Sequence, residues 1–368
     1  MRQAWPVTTF SEPLDLTRGP GWRNRFMLAP LTNTQSNLDG TLSDDEIRWL
    51  VARARGGFGL VMTAAAFVAR AGNAWAGQLG ISGDEHLPGL ERLAARLREH
   101  GAVSAVQLHH GGKRADSAAS GVPLVSAYDE PAKGARALSA GEVEQVVADF
   151  AAAARRAEQA GFDGAEIHGA HGYLLTQFLE PRNARDDGWG GDYAGRTRIV
   201  HEVIAAIRAE TGPDFQLGIR LSPERHGLVL TEMATLAGEL MREGSLDYLD
   251  MSLWDVRKRP HDEADQAEHD LLIDAFTGLE RNGTRLGVAG AIASAADAQW
   301  CLDRGADFAI VGKGAMADHA FAAHAVADPR YAAPAFPLTA DHLREEFISD
   351  RFIEYFTAGW PHLVEDGE

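Results

Sequence analysis

Two imidazoles and a phenol stand within six residues of one another in the run His168-Gly169-Ala170-His171-Gly172-Tyr173. Imidazole N–H groups can hold a carbonyl oxygen. A phenol stays protonated at neutral pH and can act as a general acid. The set therefore suits a reaction that polarises a carbonyl compound and hands it a proton. Histidines three apart also have metal-ligand spacing, and Glu166 lies two positions back on the same strand face, so spacing alone leaves a metal site open. The bland reading, loop residues that merely close off a fold, takes the smallest share for two histidines and a tyrosine bunched after a strand.

Such residues need rigid elements behind them. Apolar runs of strand length at 26–29, 59–63, 103–108, 164–168, 215–220, 248–252, 286–289 and 308–311 alternate with helical stretches at 43–55, 87–100, 139–160, 196–210, 231–243, 270–282, 294–304 and 315–325. Ser43 with Glu46 and Ser139 with Glu142 have the spacing of capping boxes, and Gly161 and Gly244 stand where helices stop. Strands alternating with helices imply a parallel sheet, and eight units imply closure into an α/β (β/α)8 TIM barrel. An open doubly wound sheet is the runner-up, disfavoured because no Gly-x-Gly-x-x-Gly turn follows the first strand. The expectation is one domain over residues 1–368, with a short N-terminal lead and a tail after about residue 328. The connections 109–138, 169–195 and 253–268 are long and all follow strands. They belong on the C-terminal face of a barrel, where active sites are built.

The strand ends carry a mixed polar set: Pro30-Leu31-Thr32, Thr63-Ala64-Ala65, Gln107, His168, Arg220, Ser252, Gly290 and Gly312-Lys313. A guanidinium at a buried strand end needs an anionic or electron-rich partner. For Arg220 that partner is either a local carboxylate such as Glu166 or charge developing on a ring cofactor. Glycines after strands seven and eight allow backbone N–H groups to approach a phosphate, and Lys313 adds a point charge.

Bulk properties narrow the classes. The 368 residues carry a formal charge of −18, which argues against nucleic acid and anionic membrane as partners. The single cysteine, Cys301, can form neither an internal disulfide nor a four-cysteine cluster, and reads as a small buried side chain. Met1–Pro6 lacks the apolar core of a signal peptide, and no stretch of about 18 apolar residues exists to span a bilayer. A cytoplasmic location is the default expectation.

Taken in order, these segments resemble the Old Yellow Enzyme family of FMN-dependent ene-reductases. The resemblance runs from about Asn24 to about Ala325. It rests on Asn24-Arg25-Phe26-Met27-Leu28-Ala29-Pro30-Leu31-Thr32, on Gln107-Leu108-His109-His110-Gly111-Gly112, and on the stretch from Ala160 to Leu174. Asn183-Ala184-Arg185 with Gly190-Gly191, then Arg220, then Val311-Gly312-Lys313 complete it. The resemblance implies non-covalent FMN surrounded by Pro30, Leu31, Thr32, Ala65, Gln107 and Arg220. Thr32 would tune the flavin edge, Gln107 would bind the pyrimidine portion, and Arg220 would face the edge that carries negative charge after reduction. Gly290, Gly312 and Lys313 would hold the phosphate. His168 and His171 match the pair that binds the substrate carbonyl, and Tyr173 matches the proton donor, which removes most weight from the metal reading.

The implied activity is reduction of the C=C bond of α,β-unsaturated carbonyl compounds, driven by NADPH or NADH. Thr34, Phe67, Trp75, His110 and Trp254 are expected to shape the substrate pocket. The chain departs from the family pattern at Lys313, where arginine is usual, which leaves two expectations: weaker FMN binding, or help from Arg25, Lys113 or another basic residue. It also departs at Thr34, where some members have tyrosine, and at Asp192-Tyr193-Ala194-Gly195, where the family has Ser-x-Glu-Asn. The aromatic tail, with Phe347, Phe352, Tyr355, Phe356 and Trp360, is expected to pack on its own barrel, with a monomer or homodimer as the assembly. Rival functions are an oxidative dehydrogenase or demethylase on the same barrel, a flavin-free aldolase-like barrel, and a non-catalytic flavin-binding protein. The extended relatives with an iron–sulfur cluster need more cysteines than one.

Overall fold

In a strand, alternate side chains face opposite sides, and in this chain the two sides bury against different partners. The computed structural model describes residues 9–365. Met1–Pro6, read above for a targeting signal, lies outside the described residues. Eight strands are parallel: β1 (Phe26–Leu28), β2 (Leu60–Phe67), β3 (Val103–His109), β4 (Gly164–Gly169), β5 (Gln216–Leu221), β6 (Tyr248–Ser252), β7 (Arg285–Ala289) and β8 (Phe308–Val311). Each pairs with the next, and β8 returns to β1, so the sheet closes into a (β/α)8 barrel.

The alternation divides the core in two. Leu28, Val61, Val106, Ile167, Ile219, Leu249, Val288 and Val311 face the helices and form the larger cluster. Met27, Leu60, Met62, Val103, Ala105, Tyr248, Phe308 and Ile310 face inward and fill the barrel. The N-terminal lead folds back as a bridge between Leu14 and Trp22. Trp22 then plugs the barrel floor edge-on against Tyr248 and Phe308, with ring centroids 5.7 and 4.8 Å away. Two glycines make room for this plug. A Cβ on Gly218 would lie 2.1 Å from the Tyr248 ring, and one on Gly287 would lie 2.2 Å from the Phe308 ring. The floor is closed by aromatic packing, with Trp22 Nε1 donating to the buried Gln216 Oε1 at 3.2 Å.

Local signals fix several helix starts. Ser139 and Glu142 form a complete capping box before helix Ala140–Gln159. Ser43 caps Asp44–Arg55, but only half a box forms, because the Glu46 carboxylate turns inward to accept from Asn33 and Ser36 in the loop after β1. Helix Tyr193–Glu210 begins three residues earlier than the pattern suggests, since Asp192 caps Gly195 N–H at 2.9 Å. Two expected helices are broken. The stretch expected at 270–282 is replaced by Glu263–Glu268 and Asp274–Thr277, with the Asp274 carboxylate accepting from Leu271 N–H and pairing with Arg304. The expected 315–325 helix divides into Lys313–Ala317 and Phe321–Ala327, because Asp318 accepts from Ala320 N–H at 2.8 Å and offers the backbone a turn instead.

The tail folds as helices Ala340–Glu345 and Asp350–Gly359, capped by Thr339 and Ser349. Phe352 is fully buried edge-on against Trp49, at a centroid distance of 5.4 Å. Cys301 is buried too, and burial pushes its thiol up to about 12, which fits the inert reading. Among the described residues no helix is long and apolar enough to cross a membrane.

Candidate active site

Strand register assembles a polar wall in the upper barrel. Gln107 on β3 pairs in register with Glu166 on β4, His168 on β4 with Arg220 on β5, and Arg220 with Asp250 on β6. Gln107 Nε2 donates to Glu166 Oε1 at 2.8 Å. Arg220 Nε lies 3.2 Å from Asp250 Oδ2, and Arg220 Nη2 donates to Ser252 Oγ at 3.3 Å. The carboxylate paired with Arg220 is therefore Asp250 and not Glu166, because register puts Asp250 level with the guanidinium. Burial raises both carboxyl groups above their usual range, Asp250 pushes Glu166 further, and Arg220 opposes the rise in each.

The histidines stand above this wall. Centroids of His168 lie 5.2 Å from His171 and 5.1 Å from Tyr173. His168 Nδ1 accepts from Ala170 N–H at 3.3 Å, so its proton belongs on Nε2, ready to donate. His171 is held differently. It takes a positive φ of 62°, its N–H donates to Ser222 Oγ at 3.0 Å, and its Nε2 sits 2.9 Å from Ser252 Oγ. Ser252 thus links His171 to Arg220. Burial holds both imidazoles well below their ordinary pKa, so they are neutral at pH 7. Tyr173 is pushed up by burial, with Arg114 opposing from 4.8 Å above its ring, so the phenol keeps its proton.

The structure adds a residue to this cluster. His109, at the end of β3, packs 4.3 Å from the Tyr173 ring and 5.2 Å from His168. Its Nδ1 meets Gln78 Nε2 at 3.0 Å and its buried Nε2 has no hydrogen-bond partner among the described residues. Strand alternation carries the signal, since Val103, Ala105, Gln107 and His109 share one face. His110, expected in the pocket, does not join the cluster. Its ring lies against Gly72 and its Nδ1 accepts from Gly112 N–H at 3.1 Å. Phe67 also turns elsewhere, edge-on to His86 at 5.7 Å and against Gly40. Trp75 does reach the cluster, 5.7 Å from His109. Trp254 sits at its rim, 6.4 Å from His171, 54% exposed and beneath Arg225. Thr34 is half-buried at a positive φ of 52°.

The remaining residues fit a flat polar ring with a phosphate at one end. Pro30, Leu31 and Thr32 are half-buried after β1, and Ala65 pairs in register with Gln107 after an irregularity in β2. Gln107 and Arg220 line the floor of that space, and the buried Arg220 Nε lacks a hydrogen-bond partner among the described residues. Gly290 follows β7 at φ 154°, and Gly312 caps the short helix Lys313–Ala317 after β8. Lys313 is exposed and makes no ion pair among the described residues, so its charge is available to a phosphate. Neither expected helper supports it. Arg25 precedes β1 at the opposite end of the barrel, where it donates to Asp307 O, and Lys113 is engaged by Tyr128 and Glu180.

The tail, expected only to pack, also reaches the site. Tyr355 on helix Asp350–Gly359 lies against the Thr32 side chain and within electrostatic reach of Tyr173. Ser349 N–H and Arg351 bind Gln35 and Ser36, so the same helix braces the loop after β1. No local sequence signal marks Tyr355, because its position depends on where the tail docks. As for a metal, one group among the described residues, Asp318, His319 and Glu346, brings donor atoms within 4.8 Å of one another. It joins the last barrel unit to the tail and includes neither His168 nor His171.

Comparison with known proteins bears on this geometry. Residues 10–328 match the model of the NADH:flavin oxidoreductase / NADH oxidase family. A probable NADH-dependent flavin oxidoreductase of Bacillus subtilis, YqiG, is 38% identical over 321 residues, covering 83% of this chain and 85% of that protein. An NADH:fumarate oxidoreductase of Klebsiella pneumoniae is 34% identical over 85% of this chain, which spans only 35% of that longer protein. Morphinone reductase in complex with tetrahydroNAD superposes with a TM-score of 0.76 at 25% identity, over 98% of both chains. The Old Yellow Enzyme homologue from Zymomonas mobilis shares the fold, with a TM-score of 0.72 at 24% identity over 85% of this chain and 90% of that one. FMN is accordingly the cofactor and a nicotinamide the reductant. The chain belongs to the NADH:flavin oxidoreductase / NADH oxidase family, and within it to the Old Yellow Enzymes, as an NAD(P)H-dependent flavin oxidoreductase.

Proposed function

We propose that the protein is an ene-reductase that saturates the C=C bond of α,β-unsaturated carbonyl compounds. One observation carries the reading: His168 and Arg220 are register neighbours on β4 and β5, so the imidazole that can hold a carbonyl stands beside the cation that would face the flavin. Hydride exchange with the nicotinamide and with the alkene is the chemistry FMN supplies when bound. The chain's own residues do the rest. His168, with His171 beside it, donates to the carbonyl oxygen and draws electron density from the β-carbon. Tyr173 gives its proton to the α-carbon and regains one from solvent. Thr32, Gln107 and Arg220 orient the ring, and Gly290, Gly312 and Lys313 hold the phosphate. Trp75, Thr34 and Trp254 border the substrate. The relatives named for fumarate and morphinone support this class, since fumarate is itself an alkene conjugated to carboxyl groups.

Anaerobic reduction of the purified flavoprotein by NADPH or NADH, followed by addition of cyclohexenone, tests the proposal. Reoxidation of the flavin with formation of cyclohexanone is the expected outcome. Flavin that stays reduced with every enone tried, but is reduced by a saturated amine or alcohol donor, would point to the oxidative dehydrogenase instead.

A further inference from the structure

The upper barrel holds two carboxylates and one guanidinium, all buried. Glu166 and Asp250 have no exposed surface, and the Arg220 side chain is 8% exposed. Five polar atoms in this one place have no hydrogen-bond partner among the described residues: Glu166 Oε2, both Asp250 carboxylate oxygens, Arg220 Nε and Tyr248 Oη. The ion pair is close but off-line, since Arg220 Nε and Asp250 Oδ2 are 3.2 Å apart without hydrogen-bond geometry. With both acids ionised and Arg220 as the cation acting on them, the set would carry one net negative charge that no other group among the described residues is seen to neutralise. The groups facing Glu166 are Gln107 from β3, Arg220 from β5, and Tyr248 and Asp250 from β6. Asp250 faces Arg220. An unpaired charge so deep is costly, whereas one retained proton makes the set neutral.

We propose that Glu166 and Asp250 share a proton whose binding is linked to the oxidation state of the flavin, so that, over the pH window in which the oxidised protein gives up that proton and the reduced protein keeps it, the barrel takes up a proton from solvent when the flavin is reduced and releases it on reoxidation. This rests on the flavin being held over Arg220, as proposed above. The argument is electrostatic. Arg220 is the one cation in the set, and Asp250 and the flavin draw on the same charge. Once reduction brings a further negative charge to that guanidinium, Asp250 loses part of its counter-ion and the acid pair binds its proton more tightly. The balance is complete: the nicotinamide supplies two electrons and one proton as hydride, solvent supplies the second proton, and the carboxyl pair carries it. Glu166 has a further positioning role. As acceptor for Gln107 Nε2, it leaves the Gln107 amide oxygen free to face a ring N–H.

The test is the flavin midpoint potential of the holoprotein measured against pH, with Glu166→Gln and Asp250→Asn beside the parent. Over the pH window between proton binding in the oxidised and reduced states, the parent slope should be steeper by about 30 mV per pH unit, one extra proton per two electrons. Both variants should lose that extra slope. Parallel slopes in all three proteins overturn the proposal. Should a variant fail to fold, reduced-minus-oxidised infrared difference spectra of the parent decide. A carboxylic acid C=O band should be gained on reduction and should shift when aspartate and glutamate are labelled with carbon-13. No such band, or one insensitive to the labels, overturns the proposal. The substrate reading fails separately, if enones do not reoxidise the flavin. Enone turnover with one slope throughout removes the proton pair alone.

Discussion

The β4–β6 wall and the C-terminal helix bring side chains to the same barrel mouth by different means. In the wall, Glu166, His168, Arg220, Asp250 and Ser252 are placed by strand register, and all but His168 are held by a neighbour one strand away. In the tail, Tyr355 arrives from nearly 200 residues downstream of His168, on a helix anchored by Phe352 against Trp49 and by contacts to Gln35 and Ser36. The wall side chains sit on the strands that close the barrel. The tail packs on the barrel from outside, with Phe352 and Phe356 in the same apolar cluster as the outward faces of the strands. This difference suggests a division of labour in which the wall supplies charge and proton transfer and the tail adjusts the space above them.

The largest expected effect lies at the wall's upper edge. Tyr173→Phe should slow the alkene step by about 10²- to 10⁴-fold while flavin reduction by the nicotinamide stays nearly unchanged. Stopped-flow measurement of the two half-reactions checks this, and an equal fall in both would make Tyr173 structural. Next is the tail anchor. Phe352→Ala removes a fully buried ring and should cost about 3 kcal/mol of local stability. Hydrogen exchange should then rise in residues 340–363 and in the loop after β1, with the barrel strands unaffected. Exchange rising across all strands would show that tail and wall are one cooperative unit.

A pH effect of intermediate size separates the regions further. Burial holds His109, His168 and His171 well below their ordinary pKa. The unfolded chain therefore binds protons that the folded one refuses. Their contribution is complete above about pH 6.5 and is lost as pH falls from there toward the folded-state values. Thermal melts near pH 7.5 and pH 5.5 should show a drop on acidification that His109→Asn reduces. The smallest effect belongs to Tyr355→Phe. Loss of one hydroxyl beside Thr32 is worth about 1 kcal/mol, a few-fold change in KM or in affinity for a phenolic ligand, with little change in the proton-transfer step. A hundredfold loss of alkene reduction would instead place Tyr355 in the chemistry and break the division.

The barrel was legible because apolar runs of strand length, capping residues such as Ser139, and glycine stops are local, and eight repeats of them admit few closures. The motif from Gly164 to Tyr173 was legible for the same reason, being one strand and the turn after it. Strand alternation even contained His109, although His110 was the residue chosen for the pocket. Other features required the fold. That Arg220 pairs with Asp250 rather than Glu166 follows from barrel register, which no single strand encodes. The distance of Arg25 from Lys313 follows from which end of a strand each occupies. Glu46 reads as half a capping box, yet tertiary contact turns it toward Asn33 and Ser36. The amino-acid sequence by itself determined the repeating units, the family and the candidate-site motif, because each is written in neighbouring residues. Only the tertiary structure decided which charges share the barrel interior and that Tyr355 borders the site, because those depend on side chains that meet only after the sheet closes and the tail docks.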